Sequence, residues 1–165
     1  MIKTFSQFLA EEEASKGTYS SLVLSEKSKQ KLHAWVKSQD ITNSAEADSY
    51  HCTINYSRKA VPAIAELKPT LPIKAKVKGW DLLGPAGEKN VLVLLLDSSA
   101  ATDLFKETKE LGAISDYPEF IVHVTIAAPF TGQLPTKYPK FTLVFDEFKV
   151  EELDVNLRAV DTKKG

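Results

Sequence analysis

Tyr50-His51-Cys52-Thr53-Ile54-Asn55-Tyr56 and Ile121-Val122-His123-Val124-Thr125-Ile126-Ala127 are the two stretches on which the fold of this chain turns. Both are rich in β-branched, aromatic and other strand-forming residues. Side chains alternate along a strand, so His51 and Thr53 share one face while Cys52 and Ile54 share the other. Likewise His123 and Thr125 share a face, with Val122, Val124 and Ile126 packed behind. The chain has 3 histidines, and threonine is 12 of its 165 residues. Two His-x-Thr occurrences among them have roughly a one-in-sixty chance of arising by accident.

Outward from these stretches the pattern repeats. A shift of 72 residues lays Ser20–Leu24 over Leu92–Leu96, Ser25 over Asp97, Leu32 over Leu104 and His51-Cys52-Thr53 over His123-Val124-Thr125. Each half reads strand, helix, strand, and self-similarity of this kind argues for two related lobes facing each other. Ser25 is the N-cap candidate of a helix with Leu32, Trp35 and Val36 on its apolar face. Asp97 or Ser98 caps a second, carrying Leu104, Phe105, Thr108 and Leu111 and ended by Gly112. Ile73 to Trp80 alternates like a half-exposed strand, Val91 to Leu96 is a buried strand, and Phe141–Phe145 and Lys149–Val160 read as two further strands. Ahead of all this, Phe5, Phe8 and Leu9 predict a short amphipathic helix over Thr4–Ser15. The expected layout is one domain over 1–165: that helix within 1–16, a first lobe over 17–88 and a second over 89–165. The fold class is α+β, with mostly antiparallel sheets around a central cleft.

Composition narrows the function. Hydrophobic residues make up 43% and charged residues 26%, with a formal net charge of −1. Those values suit a globular domain rather than a disordered or collagen-like chain, and supply no general field for duplex nucleic acid or an acidic membrane. No apolar run is long enough to cross a bilayer, and the opening residues lack the core and cleavage site of a secretory signal. The single cysteine, Cys52, rules out an internal disulfide and a cysteine-rich zinc site. A monomer in the reducing cytoplasm is expected, with no cofactor and no metal.

Paired His-x-Thr suits phosphodiester chemistry. Near pH 7 one histidine can be neutral and the other protonated, so one takes the proton of an attacking hydroxyl while the other protonates the leaving oxygen. Threonine hydroxyls can donate to non-bridging phosphate oxygens. Buried, hydrogen-bonded structural residues are the competing explanation. Lys74, Lys76, Lys78 and Trp80 share a face unless a bulge intervenes, which would set cations beside an aromatic for stacking; a solvated lysine edge and a core tryptophan account for the same residues. Arg58 and Lys59 either position a phosphate or end a strand in solvent.

These motifs resemble those of the 2H phosphoesterases, the superfamily of the bacterial RNA 2′,3′-cyclic phosphodiesterases. Gly17-Thr18-Tyr19, Tyr50-His51-Cys52-Thr53 running on to Tyr56-Ser57-Arg58-Lys59, and Gly79-Trp80 look like the phage anti-CBASS phosphodiesterases, which degrade cyclic di- and trinucleotide messengers of a bacterial immune system. The resemblance spans Gly17 to Val160. It implies a metal-independent phosphodiesterase with His51 and His123 as acid/base pair, Thr53 and Thr125 on the phosphate, and Tyr19 and Trp80 stacked on nucleobases. It also implies that an acidic residue of the last strand region, Glu151 in preference to Glu147, meets a base edge; Arg58 and Lys59 enter the candidate substrate-binding set for their charge alone. The implied partner is a small cyclic oligonucleotide, met in the bacterial cytoplasm. An RNA-end 2′,3′-cyclic phosphodiesterase and a non-catalytic nucleotide sponge are the alternatives.

Overall fold

A computed structural model describes residues 16–84, 89–115 and 119–154. The helix expected over Thr4–Ser15 lies outside them. In chain order the elements are β1 (Lys16–Leu24), α1 (Glu26–Lys37), β2 (His51–Ser57), β3 (Ile73–Leu83), β4 (Val91–Asp97), α2 (Ser99–Glu110), β5 (His123–Ala127) and β6 (Leu143–Asp154). Single 3-10 turns at Ala47–Ser49 and Pro62–Glu66 flank β2. Both helices start the same way: Ser25 Oγ accepts from the Ser28 N–H and Ser98 Oγ from the Ala101 N–H, each at 3.2 Å. Ser98, not Asp97, is therefore the second cap, and each bond satisfies a donor the helix cannot.

The six strands form one antiparallel sheet in the order β2-β1-β6-β3-β4-β5. The last strand of each linear half has changed places: β6 pairs with β1, while β3 pairs with β4. Spatially the halves are thus β2-β1-β6 and β3-β4-β5, joined where Ile73–Ala75 meets Leu143–Phe145. The segments expected as two strands, Phe141–Phe145 and Lys149–Val160, run as the single strand β6 as far as Asp154. The charged pair Asp146-Glu147 breaks the apolar alternation without breaking the ladder. Leu24 faces Phe145 and Val23 faces Glu147, so Asp146 is the extra residue of a bulge.

Both helices cover the same face of the sheet. Leu22, Leu24, Cys52, Ile54, Leu92, Leu94, Val124, Ile126, Leu143 and Phe145 form the core there with Leu32 and Val36 of α1 and Leu104 of α2. Each fully buried leucine stabilises the fold by about 1.5–3 kcal/mol. Two polar ties hold the helices in register with the sheet: Val144 N–H donates to Ser28 Oγ at 2.9 Å, and Asn55 Nδ2 donates to Thr108 Oγ1 at 3.0 Å. The outermost strands, β2 and β5, come together as the sheet curls. Ala45 N–H donates to Ile126 O at 2.7 Å, Ser44 bridges to Ala127, and the Cys52 thiol meets the main chain of His123. Burial pushes that thiol up to about 12, so Cys52 is an inert core residue. Curling is what brings the two His-x-Thr strands, at opposite edges of the hydrogen-bonded order, to one place.

Candidate active site

The two histidines are held alike. His51 Nδ1 lies 2.7 Å from Ser49 O, and His123 Nδ1 lies 2.7 Å from Ile121 O. A carbonyl oxygen only accepts, so in each ring Nδ1–H donates and Nε2 is the nitrogen left for a substrate. The bond goes to the residue two positions earlier in both cases, because both rings stand at the first position of their strand. Both side chains are half-buried. Burial lowers the proton affinity of His123 below the ordinary 6.5; the Ile121 carbonyl opposes this, and the charge of His51 adds to it. His123 is therefore neutral at pH 7, and the two rings are near enough to interact electrostatically.

Around His51 the sheet register sets three rows on the histidine face. Val23 stands between His51 and Glu147, Ser21 between Thr53 and Lys149, and Tyr19 between Tyr56 and Glu151. Ser20 faces Asn55 and Ser21 faces Thr53, leaving Ile54 as the extra residue of a bulge. The bulge turns Tyr56 onto the face of Thr53 and sends Asn55 into the core. Tyr19 Oη lies 2.8 Å from Thr53 Oγ1, and its ring meets His51 and Tyr56 edge-on, each with centroids 6.3 Å apart. Glu151, in register with Tyr19, is exposed and paired with Lys149 at 3.1 Å. Ser21, Tyr56 and Lys149 were not singled out as site residues from sequence. The alternation Glu147, Lys149, Glu151 against Phe148 and Val150 was the signal available for Lys149.

Around His123 the same face is more apolar. His123 stands opposite Leu95 and Thr125 opposite Val93, with Lys76 and Asp97 facing each other farther along. Thr125 is half-buried, and its hydroxyl has no hydrogen-bond partner among the described residues.

Three expected site residues stand elsewhere. Val77 faces Leu96 and Gly79 faces Leu95, so Lys78 is the extra residue of a third bulge, and the alternation that would unite the lysines with Trp80 is broken there. Lys74 and Lys76 keep to the histidine face, whereas Trp80 turns to the face of Leu94, opposite His123. There it stacks on Trp35 with centroids 6.0 Å apart and donates Nε1–H to Lys137 O at 2.8 Å. Arg58 and Lys59 follow the far end of β2, beyond Ser57, which the rise of a strand puts about 20 Å from His51. Both are exposed, with Lys59 Nζ lying by the Gly112 turn that ends α2.

The sequence and the fold have counterparts among known proteins. The family model described as Anti-CBASS protein Acb1 matches residues 16–160. The chain belongs to the anti-CBASS Acb1 family. A member from Vibrio phage KVP40 is 30% identical over 115 residues, covering 68% of this chain and 73% of its own length. One from Acinetobacter phage Ac42 is 31% identical over 114 residues, covering 68% and 73%. A Caulobacter relative of the same name is 36% identical over 100 residues, or 56% of this chain and 15% of its own length. The chain thus spans most of the phage members and a small part of the Caulobacter protein. In structure it is similar to E. coli LigT complexed with NADP+, with a TM-score of 0.60 at 13% identity over 82% of this chain and 86% of that one. TT0787 of Thermus thermophilus superposes with a TM-score of 0.53 at 13% identity over 81% and 83%. The Acb1 fold here is accordingly that of the 2H phosphoesterases. Among the described residues no group of three or more His, Cys, Asp or Glu could hold a metal, and no helix is long and apolar enough to cross a membrane.

Proposed function

We propose that this chain is a metal-independent phosphodiesterase that opens 3′,5′ linkages of cyclic di- and trinucleotide messengers, blunting CBASS immunity in an infected bacterial cell. The observation that carries this reading is the matched pair of rings, each with Nδ1–H tied to a main-chain carbonyl and Nε2 left to serve as acid or base. Family membership supports the anti-CBASS role, and the 2H phosphoesterase fold supports the chemistry.

The ribose 2′-hydroxyl beside the scissile linkage is an internal nucleophile. His123, kept neutral by burial and by its neighbour, takes that proton on Nε2 as the 2′-oxygen attacks phosphorus. His51, entering protonated, delivers its Nε2 proton to the departing 5′-oxygen. A 2′,3′-cyclic phosphate results, with His123 now protonated and His51 neutral. Water then adds with the roles exchanged: His51 takes its proton and His123 returns one to the 2′-oxygen, leaving a 3′-phosphate and the starting enzyme. Thr53 and Thr125 donate to the non-bridging oxygens as their charge grows. The Tyr19 ring offers a base a stacking surface, with Glu151 beside it for a base edge. Trp80, which the resemblance sets on a nucleobase, and Arg58 and Lys59, taken as phosphate contacts for their charge, stand away from this face and have no part in these steps.

The test is incubation of the purified protein, in EDTA, with cyclic di- and trinucleotides, their 2′-deoxy analogues and an RNA bearing a 2′,3′-cyclic end. Products are read by chromatography and mass. Cleavage of the ribose substrates, absent from the deoxy analogues and from His51→Ala and His123→Ala, is the expected result. Opening of the RNA end alone would replace the cyclic messenger as substrate. Tight retention of a cyclic nucleotide without turnover would make the protein a sponge.

A further inference from the structure

The Tyr19 ring was expected to meet a base, but its hydroxyl is engaged with another residue of the site. We propose that Tyr19 is a positioning residue for Thr53: its O–H donates to Thr53 Oγ1 and thereby aims the single Thr53 proton at the substrate phosphate. The proposal rests on the phosphodiesterase reading above and assigns a role within that site.

The geometry is a 2.8 Å contact between two hydroxyls from adjacent strands. A threonine hydroxyl has one proton and two lone pairs. If Thr53 spent its proton on Tyr19, it would have none for a phosphate oxygen. A bound phosphate therefore selects the opposite polarity, in which Tyr19 donates, one Thr53 lone pair is filled, and the Thr53 O–H points away from Tyr19. Donation from Tyr19 also polarises Thr53 and strengthens the bond it gives in turn. Tyr19 is well held for this task. Its backbone is paired on both sides, to Tyr56 and to Glu151, and its ring leans on those of His51 and Tyr56. Thr125 has no such support: it faces Val93, and no described residue bonds to its hydroxyl. With phosphate bound, Thr53 is fixed from two sides, by Tyr19 and by the substrate, whereas Thr125, among the described residues, is fixed from the substrate side alone.

A double-mutant cycle tests this, with kcat and KM measured on the ribose cyclic dinucleotide that the wild type cleaves, or on a nucleoside 2′,3′-cyclic phosphate. Tyr19→Phe keeps the ring and removes the hydroxyl. It is expected to lower kcat about tenfold with KM changed less than about twofold. In a Thr53→Val background, itself down about 100-fold, Tyr19→Phe is expected to cost nothing further. In a Thr125→Val background it is expected to cost the full tenfold. Melting temperatures monitor folding, and Tyr19→Phe should melt with the wild type. A wild-type kcat in Tyr19→Phe, a rise in KM alone, or equal losses in both threonine backgrounds would overturn the assignment while leaving the phosphodiesterase intact. A wild type inert towards every phosphodiester offered would overturn both.

Discussion

The two His-x-Thr strands are near copies in sequence and unlike in surroundings. On β2, Thr53 is bonded to Tyr19 and flanked by Ser21, Lys149 and Glu151, a polar and charged neighbourhood. On β5, Thr125 and His123 stand beside Val93 and Leu95. Burial there lowers the proton affinity of His123. The repeated motif leaves the same ring nitrogen, Nε2, untied twice, while the neighbouring strand decides what surrounds each copy. In the proposed reaction the roles follow from position: the ring beside the 2′-oxygen takes the first proton and the ring beside the 5′-oxygen delivers one.

The strongest loss of activity treats the two copies as equals. His51→Ala and His123→Ala should each lower kcat by roughly 10²–10⁴, and the double variant by far less than the product, since both act in one proton relay. Single-turnover assays check this, and a loss under tenfold in either variant would undo the pairing. Next is the aromatic on the other face of the sheet. Trp80→Ala should destabilise the fold by about 2 kcal/mol, through the lost Trp35 stack and apolar burial, with KM of the folded fraction changed less than about twofold. Urea unfolding alongside kinetics decides the matter, and a raised KM at unchanged stability would return the indole to the substrate.

A third measurement bears on the contrast between the histidines. Followed by NMR, His123 should titrate below 6.5 in the wild type and move upward, without passing 6.5, in His51→Gln. Removing the neighbouring charge relieves one depressing influence while burial, the larger one, remains. For the same reason the rate should fall as pH drops below 6.5 and His123 takes up a proton. Stability should decline over the same range, since the unfolded chain binds the proton that the native state resists. A weaker effect separates the threonines. Thr53→Ser should retain kcat within about twofold because Tyr19 still orients the hydroxyl, whereas Thr125→Ser, deprived of the β-branch that limits its rotamers, should lose about threefold. Equal losses would mean that Tyr19 does not distinguish the two.

Much of this was legible without coordinates. Each His-x-Thr pair reads as one strand face because side-chain alternation is a local property, and Ser25 reads as a cap because the residues it serves are its immediate neighbours. Glu151 came from resemblance and falls beside Tyr19, since the strand carrying it obeys plain alternation from Glu147 onward. The failures cluster at bulges. An extra residue at Lys78 reverses the face of Trp80, one at Asp146 made a continuous strand look like two, and one at Ile54 brings Tyr56 to the site. A bulge inserts a single residue against a partner strand, so nothing in the strand's own sequence need announce it.

Sequence spacing was enough to specify the repeated strand–helix–strand unit, the shared face of each His-x-Thr pair and the core that turns Cys52 and Ile54 away from it. Only the assembled sheet settles that β6 and β3 exchange halves, that the two edges curl until β2 meets β5, and that Tyr19 bonds Thr53 while no described residue bonds the Thr125 hydroxyl. Those outcomes depend on register between strands far apart in the chain. Register is set by the joint burial of a whole sheet face rather than by any one segment.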